Sequence, residues 1–142
     1  MAMTVADIGA EAALKIQFNN VRATGGNNLT LKLFTSDTTP ADTDTQATYT
    51  EATGGGYASK ALAMGSWTVS IVSNIAQAAY AEQTWTFTGA LTGNPTIYGY
   101  YVVDGDNVLL CAERLGASFT PTTNGDILRV TPVYKRSKGT PT

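Results

Sequence analysis

Histidine is absent from this chain, which removes the commonest general base and the commonest transition-metal ligand. Serine and threonine are plentiful, but without histidine they form no ordinary triad. The acids lie scattered on loops, and no second carboxylate is poised opposite Glu113 for glycoside hydrolysis. Glu113 and Arg114 are neighbours in an extended run, so they point to opposite faces and cannot pair with each other. A buried charge needs a partner, and Glu113 is expected to meet Arg129 or Lys32. Asp37, Asp42 and Asp44 could collect oxygen ligands for Ca²⁺, yet EF-hand spacing is missing and Asp and Thr are ordinary loop residues. Gly54-Gly55-Gly56 lacks a following Lys-Ser/Thr and is not a phosphate loop. The single cysteine, Cys111, excludes an internal disulfide and sits in an apolar run as a small core residue. The residues therefore predict no catalysis, no cofactor and no metal site.

The elements that position these groups are strands. Thr96–Leu115, TIYGYYVVDGDNVLLCAERL, holds two apolar runs flanking Asp104-Gly105-Asp106-Asn107. Asp-Gly is a hairpin signal, with glycine free to take positive φ. Neither run alternates cleanly, as expected of strands covered on both faces, so the hairpin is placed centrally in a sheet.

Thr4–Asn19 reads as the one helix, capped by Thr4 or Asp7, with Ile8, Leu14 and Phe18 on its apolar side. It covers an open end or edge of the fold, or docks on a neighbouring subunit. Leu29, Leu31 and Leu33 alternate with Thr30 and Lys32 as a half-buried strand, and Thr35–Thr48 is a loop containing Pro40, Asp42 and Asp44. Thr48–Ala52 reads as a short edge strand and Gly54–Gly56 as a flexible break. Strands follow at Tyr57–Leu62, Ser66–Ser73 (Trp67, Val69 and Ile71 on one face), Ile75–Tyr80 and Glu82–Thr88 (Trp85 and Phe87 against a threonine face). Gly116–Gly125 is a loop, and Asp126–Lys135 the last strand, with Pro132 marking an edge or bulge. About eight strands with regular turns predict a mainly β fold, an antiparallel β-sandwich of jelly-roll-like form. Residues 1–27 form a helical arm, 28–136 the β domain and 137–142 a polar tail.

Charged residues make up only 14% of the chain against a usual share of about 25%. A threonine-rich surface with few ions suits an assembly, where ionic groups are costly to desolvate. A net charge of −2 with nine basic residues argues against nucleic-acid binding. No run approaches the 18 or so apolar residues of a membrane span, and Met1–Asn20 lacks the pattern of a secretory signal. The aromatics are mostly core and cross-strand packing, with a few exposed ones free to stack on sugar or anchor a protein.

Leu29–Tyr57, Ser66–Val69 (SWTV), Gln83–Gly89 (QTWTFTG), Thr96–Leu115 and Asn124–Pro132 (NGDILRVTP) together resemble small virion structural proteins of tailed bacteriophages. The pattern covers about residues 28–133. Cys111 stands where that family typically carries an aromatic, leaving volume for another group to fill. The resemblance implies a capsid decoration (cement) protein, or in the alternative a tail or fibre module binding host polysaccharide. It implies the major capsid protein and further copies, as a homotrimer, for partners. The expected location is the capsid exterior after assembly in host cytoplasm. Contacts are expected from Ile8, Leu14 and Phe18, from Pro40, Asp42 and Asp44, and from Lys135 and Arg136.

Overall fold

The computed structural model describes residues 3–19, 24 and 28–136, without the side chains of residues 14, 15 and 17–19. With 44% of residues in strands and one helix, the protein is mainly β, built of antiparallel sheets that do not close on themselves, consistent with a sandwich. The largest sheet has five strands in the order β1 (Thr4–Val5), β8 (Leu109–Phe119), β7 (Ile97–Val103), β2 (Leu29–Phe34) and β3 (Lys60–Leu62). The second layer is split. The strands β10 (Val133–Arg136), β5 (Ile75–Ala79) and β4 (Thr68–Val72) form one piece, and β6 (Gln83–Thr86) with β9 (Ile127–Val130) forms the other.

The central hairpin is where the sequence places it, and β7 is covered on both sides. Tyr100 and Val102 join the main core with Leu31 and Leu33 of the same sheet, Trp85 of β6 and Phe87 just beyond it. Tyr101 and Val103 point the other way, into a second cluster with Phe34, Tyr49 and Leu109. The turn differs in one detail: positive φ falls on Asn107 (61°), not Gly105. Asp104 holds that turn by accepting from the amides of Asp106 and Val108, each at 2.9 Å.

Several expectations change, among them Thr48–Ala52, which holds a single bridge from Glu51 to Phe34 and is not a strand. The predicted helix begins at Asp7 (α1, Asp7–Asn19), because Thr4 and Val5 pair with Ala112 and Cys111 as an edge strand. The expected loop from Gly116 starts only after Phe119, since β8 runs on to pair with Ile97. The expected strand Asp126–Lys135 breaks at Thr131-Pro132: the proline has no amide for a ladder, and the chain passes there from β6 to β5 as partner. Gly54–Gly56 is no flexible spacer. All three have positive φ, and the Gly55 carbonyl accepts from the Thr88 amide at 2.9 Å, locking the turn onto a neighbouring loop.

Within the stretch expected as a helical arm, Thr4–Val5 lie in the sheet. Met3 is 4% exposed and packs in the main core, where the Cys111 thiol donates to its sulfur at 3.3 Å. The volume that a larger side chain would fill at position 111 is partly taken by Met3. At Gly9 the helix crosses the β8 backbone so closely that a methyl group would lie 2.5 Å from the Leu110 carbonyl oxygen. Deleting residues 1–19 is therefore expected to lower the thermal midpoint and to uncover Cys111. Thiol labelling in native buffer, slow for the full chain, becomes fast for the truncated one; unchanged labelling and melting would show that this segment is not needed for the fold.

Candidate interaction surface

Most polar side chains that the sequence singles out are committed to holding loops. The Asp44 carboxylate accepts from the Ala41 amide (2.9 Å) and the Tyr49 hydroxyl (2.6 Å). The Asp42 carbonyl accepts from the Asp7 amide at 2.8 Å, joining the loop to the start of α1. Arg114 donates to Asp37 (2.6 Å) and to the Thr38 carbonyl (3.0 Å) while lying over the Tyr98 ring. The loop is thus bound to the second cluster, and Ile8 packs against that same cluster.

Pro40, Asp42, Asp44 and Ile8 therefore gather on one side of the molecule. Lys135 and Arg136 are exposed on β10, in a different sheet, so the expected contact residues do not form one site. The side chains of Leu14 and Phe18, and the tail 137–142, lie outside the described residues. Among the described residues there is no group of three or more potential metal ligands and no helix long and apolar enough to cross a membrane.

Glu113 does not meet Arg129 or Lys32. It accepts a hydrogen bond from the Tyr100 hydroxyl directly across the hairpin. Lys32 pairs with Glu51 at 3.0 Å, and Arg129 approaches Glu82 at 3.5 Å on the exposed surface, where such a pair adds little. Sequence reasoning missed Tyr57, whose hydroxyl donates to Glu51 and accepts from the Leu33 amide, both at 3.1 Å. Burial, reinforced by the Glu113 carboxylate, pushes the Tyr100 hydroxyl far above its ordinary value. Burial does the same to Tyr57 and Tyr49, and raises the Cys111 thiol to about 12.

What remains uncommitted is apolar. The β4–β5 hairpin stands out from the body with Val69 76% and Ile71 75% exposed, and Val72 and Ile75 are exposed beside its turn. The sequence gives Trp67, Val69 and Ile71 one face. Trp67 packs edge-on against Tyr80 at the core margin, whereas the other two run out into solvent. From Ala61 to Ala81 no residue is charged. Beneath the hairpin's base an apolar groove of about 280 Å³ opens, lined by Trp67, Ala78, Tyr134, Leu110 and Cys111 among others. None of the seven tyrosines or two tryptophans is fully exposed.

The chain matches no protein-family model, no curated protein and no solved structure.

Replacing Tyr57 by Phe leaves the Leu33 amide without its acceptor and is expected to cost about 1–3 kcal/mol in urea unfolding. A loss below experimental error would mean that water replaces the hydroxyl. Alkali gives a second prediction. On unfolding, the Cys111 thiol and the Tyr49, Tyr57 and Tyr100 hydroxyls return to ordinary values of 9.0 and 10.0. Above about pH 9 the unfolded chain then binds fewer protons than the folded one. Stability that is complete below that pH falls as pH rises, by about 1.4 kcal/mol per unit for each group fully titrating in the unfolded chain alone. Urea midpoints measured from pH 8 to 11 should fall; a flat profile contradicts the assignment.

Proposed function

We propose that this protein is a virion structural protein of the capsid decoration kind, which binds the outer shell of a tailed phage and stabilises it by protein–protein contact. The observation that carries this reading is the uncharged hairpin, with aliphatic side chains in solvent and one strand edge unpaired among the described residues. Free-standing domains cover, shorten or charge such an edge, because it invites pairing with other chains. A protein that works in an assembly uses it. Each of Val69 and Ile71 contributes about 1.5–3 kcal/mol when fully buried against a partner, and repetition over a shell multiplies small gains.

The sequence resemblance points the same way and supplies the partners: the major capsid protein and further copies of this chain, on the capsid exterior after assembly in host cytoplasm. A jelly-roll-like sandwich belongs to the same proposal. The mechanism needs no catalytic step and no cofactor. Among the described residues the exposed large apolar side chains are Met64, Val69, Ile71, Val72, Ile75 and Ile127, none of them aromatic. Such groups pack against protein and offer no flat ring for a sugar, which ranks shell attachment above a glycan-binding fibre module.

Imaging of intact particles that carry this polypeptide tests the proposal. The expected result is density on the outer shell at on the order of hundreds of copies, as repeated decoration of a lattice requires. Location at the tail in a handful of copies, or turnover of a glycan by the purified chain, would overturn it.

A further inference from the structure

β4 is an edge strand: β5 lies on one side, and among the described residues no strand lies on the other. The hairpin closes through Ser73-Asn74, with φ of 50° and 64°. Two-residue turns of this kind join a hydrogen-bonded pair, here Val72 and Ile75. Alternation then sets every other position. Thr68, Ser70 and Val72 bond to β5, and Val69 and Ile71 direct their N–H and C=O groups to the open edge. The far side of β5 follows the same alternation, since the Tyr80 amide donates to the Pro132 carbonyl at 3.0 Å.

We propose that this edge pairs with the β4 edge of a second copy, antiparallel about a two-fold axis at Ser70, to give one six-stranded sheet. The register is self-complementary. Val69 meets the second copy's Ile71, Ile71 meets its Val69, and the two small Ser70 side chains face each other in the intervening non-hydrogen-bonded pair. All four outward-facing residues, two from each copy, find ladder partners.

Charge selects a second copy over an unrelated partner. A two-fold contact brings each charge close to its own twin, and like charges across strands are destabilising. The stretch Ala61–Ala81 contains none. The opposite edge of this sheet is unsuited to head-to-tail growth: the Val133 carbonyl on β10 already accepts from the Met3 amide (3.4 Å), and that strand carries Lys135 and Arg136. The geometry thus favours a two-fold contact over the threefold arrangement implied by the sequence resemblance. The axis stands perpendicular to the sheet, so the face bearing Trp67, Val69 and Ile71 lies on the same side in both copies. The two apolar grooves then continue into one strip. This pairing does not depend on which shell the protein sits on.

Sedimentation of the purified full chain at about 100 μM tests it, a range suited to a seam smaller than the ~1,200–2,000 Å² of a standard interface. The expected mass is twice the 14.9 kDa of one chain. Ile71→Lys, at a side chain 75% exposed, is expected to give a monomer with an unchanged thermal melt. If that variant fails to fold, Val69→Lys, also on the open edge, replaces it. Ser70→Cys places two thiols in a non-hydrogen-bonded pair with Cα atoms about 4.5 Å apart, within disulfide reach. Oxidised glutathione should convert it to a covalent dimer faster than Thr68→Cys, and the buried Cys111 stays silent in both. A monomeric or trimeric wild type, a folded lysine variant that stays dimeric, or equal cross-linking at positions 68 and 70 would overturn the proposal.

Discussion

A strand that is apolar on both faces must be covered twice, and β7 is such a strand. Its residues from Gly99 to Val103 are all buried. One face is met by the split second layer, through Trp85, Phe87 and Leu128. Among the described residues no sheet meets the other, which is covered by the long loop with Tyr49, by Ala6 just before α1 and by Ile8 within it. This need accounts for the hydrogen bonds of Asp44, Asp42 and Arg114: they hold irregular backbone against Tyr101 and Val103, where no ladder holds it. Loop residues that look like ligands in the sequence therefore serve as fastenings for a lid over the hydrophobic sheet.

The half-buried carboxylates inside this arrangement are matched locally. The Lys32–Glu51–Tyr57 chain ties β2 to the loop that follows it, and Tyr100 with Glu113 ties β7 to β8. Each of these carboxylates has a donor within reach, a Lys32 ammonium for Glu51 and the Tyr100 hydroxyl for Glu113. The uncommitted capacity of the molecule is concentrated instead at β4, which offers main-chain groups and aliphatic surface together. The apolar side chains of Val69 and Ile71 stand in solvent there, while inside the molecule the Trp67 indole nitrogen and the Tyr101 hydroxyl are buried without a hydrogen-bond partner among the described residues.

Much of this was legible in the sequence. The alternation of Leu29, Leu31 and Leu33 correctly gave a half-buried strand, and the unbroken apolar runs around Asp104-Gly105 gave the central hairpin. The same alternation at Trp67, Val69 and Ile71 described a face but could not say whether anything lies against it, because periodicity reports sidedness and not cover. The partner of Glu113 was hidden by the irregularity between Val102 and Val103. Counting back from the pair Val103–Leu109 alone would set Tyr100 opposite Ala112, whereas the extra residue, Leu110, shifts it to Glu113. Pro132 was recognised as a disturbance, but its consequence, one run of residues divided between two sheets, depends on what lies beside it in space.

The seating of Thr4–Val5 against Ala112 and Cys111 also bears on how the chain reaches its folded state. β1 is made long before the strand it pairs with and can close only once Cys111 and Ala112 exist, since the Met3–Cys111 contact spans 108 positions. Loop closure over that separation is entropically costly, and topologies rich in such pairings fold slowly. Until Cys111 emerges, Thr4–Val5 have no edge to join, so completion of the five-stranded sheet waits on β8.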